Sequence, residues 1–502
     1  MTRFALLLAA AFLTTPGWAQ DKPVPDKPAE RSAETPPPLV SITKHTGSFG
    51  GVTVAYSATA RETYLKGEDG TPKASIFSTA YIKEGNDPTR PITFLFNGGP
   101  GSGSLWLHMG AFGPKRVALP SDARDDGAPP YPIVPNPDSL LDVTDIVFID
   151  PVGTGFSHAL GKTEAKSYWG VTADAKSISD FIRQWLSENG RWNSPKFLGG
   201  ESYGTTRSAA VAHELEGSYN DVALNGIILI STILDFGAQA EVPGNEMAYV
   251  INLPTMATTA WYHGKVADKP ADVAKFAAEA RAFASGSYLT ALVKGNRLAG
   301  DERAAIRKQL ARFTGLSEQY LDAADLRVTP GRFYKELLRD RKLTVGRLDS
   351  RYTGTDFDSA GEEPDNDPSF YGIDGGYTAA FNAYVRGDLA FKTDRQYVTI
   401  GDVSDWDWKL KGRETGDSAY YFNVAPYIGR TLRENSGARV FIGAGWYDFA
   451  TPFFGAEYAL SRTGIPADRL EFHYYGAGHM IYVHDTDLAL LSRDIRAFIR
   501  KR

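Results

Sequence analysis

The chain has 502 residues, 42% hydrophobic and 23% charged, the balance of an ordinary soluble globular protein. Its 54 basic and 60 acidic residues leave a net charge of -6, too mild for nucleic acid, and no basic stripe runs through it. The absence of cysteine excludes disulfides, thiol catalysis, thiolate metal sites and a lipid anchor on cysteine.

Arg3, the apolar residues 4–13 and the small-residue stretch Gly17-Trp18-Ala19 read as a signal peptide, residues 1–19, cut after Ala19. The apolar run is too short to span a bilayer and Pro16 follows it, so no stable membrane insertion is expected after cleavage. A bacterial periplasmic or secreted protein is the expectation. Residues 20–40 are rich in Pro, Lys, Glu and Asp and read as a linker.

Residues 41–235 read as the first part of an α/β core. Gly50-Gly51 marks a hairpin turn before a strand at 52–56, and residues 74–83 alternate as another strand. Residues 91–96 form a short buried strand that Asn97-Gly98-Gly99-Pro100-Gly101-Ser102-Gly103-Ser104 cannot continue. Residues 145–150 are the next buried strand, followed by the turn-rich Pro151-Val152-Gly153-Thr154-Gly155-Phe156. An amphipathic helix is expected over 172–189, a strand end at 196–199, a helix over 205–216 and a strand over 224–230. This alternation predicts a mostly parallel central sheet flanked by helices.

Residues 236–414 read as a largely helical insertion, or cap. Helices are expected at 246–259, 272–283, 301–313, 316–324 and 331–340, before an acidic, aromatic, Gly-rich stretch at 356–377. The β/α alternation returns over 415–502, with helices at 424–432, 453–461 and 487–500 and strands at 439–443 and 470–475.

Gly200-Glu201-Ser202-Tyr203-Gly204 fits G-x-S-x-G between a strand and a helix, the context of a nucleophile elbow. In such a fold the acid and the base follow the serine in that order. Asp448 follows the strand at 439–443, and His479 lies in the turn Gly476-Ala477-Gly478-His479-Met480 after the strand at 470–475. His479 would take the Ser202 proton while Asp448 fixes its tautomer. His473 and His484 read as structural. The backbone N–H of Tyr203 and the loop Asn97-Gly98-Gly99 would supply oxyanion donors. That loop lacks both the G-K-[ST] ending and the G-x-G-x-x-G spacing of phosphate-binding loops.

These motifs resemble the serine carboxypeptidase family of α/β hydrolases. The matching runs are Phe96-Asn97-Gly98-Gly99-Pro100-Gly101-Ser102, Asp150-Pro151-Val152-Gly153-Thr154-Gly155-Phe156-Ser157, Gly200-Glu201-Ser202-Tyr203-Gly204 and Gly478-His479-Met480. The resemblance implies release of C-terminal residues from peptides, with Ser202, Asp448 and His479 as the triad and Gly99 and Tyr203 as the oxyanion hole. It implies that Asn97, Gly98 and Glu201 hold the substrate's C-terminal carboxylate. Glu201 can do so only when one of the two carboxyls is protonated, which favours acidic pH. The bland alternative for Glu201 is a helix cap.

Two departures accompany the resemblance. Ala111, in Gly110-Ala111-Phe112-Gly113-Pro114, stands where the family places a second glutamate. Lys115 and Arg116 offer cations nearby, although surface solvation is the simpler role for them. The family's eukaryotic disulfides are absent. No cofactor and no metal are expected: H-E-x-x-H is missing, and Asp365-Asn366-Asp367 runs into Pro368, unlike a calcium loop. Trp406 and Trp408 read as packing residues. An esterase or acyltransferase using the same triad is the alternative function.

Overall fold

The computed structural model describes residues 35–410 and 421–501, except Asn86, Ser218 and Thr463. The expected signal peptide, most of the linker and the expected boundary at 414 lie outside the described residues. Contacts separate Met1–Pro36 from Pro37–Arg502, and everything below concerns the second unit.

The frame is a ten-stranded sheet. Its principal strands are β1 (Val40–Phe49), β2 (Val52–Lys66), β3 (Pro72–Lys83), β4 (Ile92–Phe96), β5 (Asp145–Ile149), β6 (Lys196–Ser202), β7 (Gly226–Thr232), β8 (Arg439–Gly445) and β9 (Leu470–Tyr475). They lie in the order β1-β2-β3-β5-β4-β6-β7-β8-β9, and His158–Ala159 pairs with β3. The run from β5 to β9 is parallel throughout. β1, β2 and β3 extend it antiparallel.

Burial on both faces explains why the central strands read as continuous apolar runs. Every residue of Gly226–Thr232 is buried. Successive side chains still point to opposite faces. Ile227 and Leu229 join one core, while Ile228 and Ile230 join the other. The first core is closed by α1 (Val171–Glu188), α2 (Tyr203–Leu215) and α5 (Ala425–Glu434). The opposite core is closed by α4 (Asp374–Arg386) and α6 (Asp485–Arg500). In α1, Val171, Ala175, Ile178, Ile182 and Leu186 recur at helical spacing on the buried face. This is the α/β-hydrolase fold, and the mostly parallel sheet matches the expectation.

Two local expectations are corrected, and one element that was not anticipated appears. β2 runs to Lys66, well beyond residue 56, because it pairs with β1 on one side and β3 on the other. Residues 107–112 form a buried π-helix, Leu107–Phe112, after the Gly-rich loop. The Gly-rich stretch ending at 377 opens α4, whose Gly375 and Gly376 hid its helical character. Burial of Tyr377, Phe381, Tyr384 and Val385 overrides that weak propensity.

The segment expected as an insertion packs in two ways. Helix α3 (Glu246–Tyr262) gathers Val273–Phe283, Gly300–Thr314 and Pro330–Glu336 around a core of their own. Residues from Ile373 to Tyr397 instead pack into the sheet core. Isolated bridges tie Ile400 to Ser102 and Val398 to Gly155.

Candidate active site

The chemistry gathers where the parallel strands end, the usual position for ligands in such sheets. Ser202 is the last residue of β6 and the N-cap of α2, with φ 61 and ψ −131. Such a backbone costs a non-glycine residue about 1–3 kcal/mol, and it turns the side chain out of the sheet. The flanking glycines serve closeness rather than unusual torsions. A Cβ on Gly200 would sit 2.1 Å from the Gly204 carbonyl oxygen, and one on Gly204 would sit 2.8 Å from that of Phe96.

His479 and Asp448 meet although 31 residues separate them: Nδ1 lies 2.9 Å from Asp448 Oδ2. Thr451 completes the acid's shell. Its N–H donates to Oδ1 at 2.9 Å and its hydroxyl to Oδ2 at 2.6 Å. The turn carrying His479 is pinned through its main chain, since its N–H donates to Leu348 and its carbonyl accepts from Ser231 Oγ. Burial works against the imidazolium, but the charge and hydrogen bond of Asp448, aided by Glu201, outweigh it and raise the His479 pKa. Burial likewise works against the Asp448 carboxylate, and His479 and Thr451 outweigh it and lower the pKa. The two shifts agree on a stabilised imidazolium–carboxylate pair.

Ser202 and His479 line one cavity of about 120 Å³ together with Asn97, Gly98, Gly99 and Glu201. Trp106, Phe370, Ile400 and Met480 give it apolar walls. The Gly-rich loop lies directly against the elbow: a Cβ on Gly98 would be 2.5 Å from the Tyr203 nitrogen and 2.7 Å from the Glu201 carbonyl oxygen. Gly99, at φ 100, adopts a backbone that L side chains rarely take. Gly98, the neighbour of the expected donor Gly99, thus sits against the backbone nitrogen of Tyr203, the other expected donor.

Glu201 is buried beside Ser202. Its Oε1 accepts from Asn97 Nδ2 at 3.1 Å, while Asn97 Oδ1 accepts from the Leu107 N–H at 3.0 Å. Burial, only partly offset by His479, Tyr482 and Asn97, pushes the Glu201 carboxyl up to about 7. The Tyr482 hydroxyl is near enough to act on Glu201. It lies outside good hydrogen-bond geometry, so Glu201 Oε2 and Tyr482 Oη both count as unpartnered. Glu201 does not cap the elbow helix, whose N-cap is Ser202.

Ala111 is buried in the π-helix, and its carbonyl accepts from Asn136 Nδ2 at 2.8 Å. The nearby cations are committed elsewhere: Lys115 pairs with Asp388, and Arg116 with Asp485 at 2.9 Å. His473 and His484 pair with Asp494 and Asp487. Trp406 and Trp408 pack edge-on against the Tyr203 ring. Asp367 caps the short helix Pro368–Tyr371 and accepts from the Arg347 and Leu348 N–H groups. Asp150 binds the Gly-rich loop through the Ser104 N–H at 2.8 Å, which accounts for its place after β5. Four larger clefts, of about 910, 780, 420 and 340 Å³, contain none of the expected catalytic residues. Chemistry rather than size therefore selects the site.

Sequence reasoning missed Thr451, Ser231 and Tyr482, and it missed the ion pair of Arg207 with Asp174 behind the elbow. Only Thr451 carried a local signal, three residues after an aspartate at a helix start.

A family model described as serine carboxypeptidase matches residues 56–316, just over half of the chain. Serine carboxypeptidase-like 13 of Arabidopsis thaliana is 30% identical over 158 residues, 31% of this chain and 35% of the relative. Serine carboxypeptidase-like 5 of the same plant is 29% identical over 163 residues, 31% and 36% of the two chains. The match thus spans about a third of these curated relatives' length. A prohormone-processing carboxypeptidase from Saccharomyces cerevisiae superposes with a TM-score of 0.53 at 16% identity, over 88% of this chain and 91% of that one. That likeness concerns the fold. The family match over more than half of the chain leads to one conclusion: this chain belongs to the serine carboxypeptidase family.

Proposed function

We propose that the chain is an exported serine-type carboxypeptidase that cleaves peptide bonds near the C-terminus through an acyl-enzyme on Ser202. The observation that carries this reading is the adjacency of two devices in one cavity. Ser202 and His479 stand beside Glu201 and Asn97, and burial keeps Glu201 protonated up to about neutral pH.

His479 takes the Ser202 hydroxyl proton as Oγ bonds to the scissile carbonyl carbon. Asp448 holds Nδ1 and stabilises the imidazolium. The N–H groups of Gly99 and Tyr203 receive the oxyanion. His479 then returns the proton to the leaving amine, and water releases the acyl group by the same steps in reverse roles. The carboxylate of the leaving residue is held by Asn97, Gly98 and the protonated Glu201. The mechanism uses no cofactor.

The test compares one peptide with a free C-terminus and the same peptide amidated, over about pH 4–8, with products read by mass. Stepwise loss of C-terminal residues from the free peptide alone is expected. Equal cleavage of both would overturn the carboxylate clamp. Export rests on residues 1–19, and the mature protein should begin at Gln20 by N-terminal sequencing of the periplasmic or secreted fraction. A mature chain retaining Met1 would refute it.

A further inference from the structure

Behind the elbow lies a charge that the mechanism above does not use. Arg207, on the second turn of α2, is 1% exposed. Its Nε donates to Asp174 Oδ2 of α1 at 2.7 Å, and its Nη1 donates to the Asn97 carbonyl at 2.5 Å. Its guanidinium carbon lies 5.1 Å from the centre of the Tyr203 ring and 5.3 Å from that of Phe96. Nη2 has no hydrogen-bond partner. One side chain thus touches the residue that opens the Gly-rich loop and the residue that follows the nucleophile.

A buried ion pair is a poor stabilising device, because desolvation consumes most of its attraction. Asp174 shows this. Its carboxyl is pushed up by burial and brought only part of the way back by Arg207. An apolar pair would fill the space between α1 and α2 at lower cost. What an apolar pair would lack is the donor to the Asn97 carbonyl. That peptide is the hinge of the loop: Gly98 follows it, and Gly204 lies so close that a Cβ there would be 3.1 Å from the Asn97 carbonyl oxygen.

We infer that Arg207, held by Asp174, is a positioning residue that clamps the Asn97 peptide against the elbow and so fixes the spacing of the Gly99 and Tyr203 donors. This rests on the reading of those two N–H groups as the oxyanion hole. Arg207 reaches no substrate. It acts through the main chain of Asn97 and the ring of Tyr203. A planar fork suits this task because it serves two acceptors at once, which an ammonium on a flexible stem does not.

The experiment uses the full chain and two variants. In Arg207→Met with Asp174→Ala, the ion pair is exchanged for apolar residues. In Arg207→Lys, the charge stays and the fork is lost. For each, kcat and KM on a free peptide are measured together with affinity for a peptide boronic acid. In that adduct Ser202 Oγ bonds to boron, the hydroxyl proton passes to His479, and no group leaves. A loosened oxyanion hole should lower kcat and boronate affinity about 10²-fold, with KM changed less than about threefold. Amide exchange at Ser102 and Gly103 should also speed up by about tenfold or more, while the central strands stay protected. Folded variants with wild-type kcat, boronate affinity and loop exchange would overturn the inference. If the wild-type chain forms no boronate adduct, the oxyanion reading itself fails, and loop exchange still decides whether Arg207 tethers Asn97.

Discussion

The Asn97 side-chain amide donates to Glu201 Oε1 at 3.1 Å, joining the Gly-rich loop to the residue before Ser202. The contact spans 104 residues of sequence. It places a carboxyl with a pKa of about 7 within the cavity that holds Ser202.

This arrangement predicts the pH dependence of peptide cleavage. The proposed clamp requires a protonated Glu201, so kcat/KM for free C-termini should fall as pH rises through about 7. In the proposed mechanism the acid limb belongs to His479, which must be neutral to act as base and whose pKa lies above its ordinary 6.5. The two groups interact, so the limbs describe the pair. A Glu201→Gln variant donates from an amide at any pH, and its profile should stay flat above 7. An alkaline fall unchanged in that variant would remove Glu201 from substrate binding.

The same carboxyl should cost stability. Its folded pKa of about 7 lies above the ordinary 4.5. The penalty is absent below about 4.5, grows between the two values and is complete above about 7. Glu201→Gln should therefore raise stability by up to about 3 kcal/mol at pH 8 and by nothing at pH 4. Urea melts at the two pH values measure it, and an equal change at both would refute the linkage.

Asp448→Asn should leave the fold intact and lower kcat by about 10⁴-fold, because the imidazole loses its tautomer and the imidazolium its counter-charge. Ser202→Ala should abolish covalent labelling by a serine-directed phosphonate. Retained labelling of that variant would place the nucleophile elsewhere.

Gly98→Ala tests the packing of the loop on the elbow. The new methyl would lie 2.5 Å from the Tyr203 nitrogen and 2.7 Å from the Glu201 carbonyl oxygen. Neither is a flexible side-chain end, so the loop must move. Loss of one oxyanion donor costs about 10²–10³ in kcat, and a loss of that size is expected at nearly unchanged KM. Steady-state kinetics decide it, and wild-type kcat would show that the loop does not supply a donor.

The elements that sequence placed well are those with local causes. The run Gly226–Thr232 shows its burial in its own composition, and G-x-S-x-G shows its turn in its own glycines. The elements misread are those decided by neighbours. Helix α4 opens on glycines and exists because Tyr377, Phe381 and Tyr384 are buried against distant strands. β2 reaches Lys66 because two partners hold it.

The sequence alone therefore determined the fold class and the strand–turn–helix at Ser202, since each of these follows from turn chemistry, periodicity or chain order. Only the tertiary structure decided the partners. Asp448 with His479, Asn97 with Glu201 and Arg207 with Asn97 are joined by hydrogen bonds between groups 31, 104 and 110 residues apart. Such bonds carry no periodic trace in the chain, and burial sets the charge state of Glu201 only once the folded sheet has closed around it.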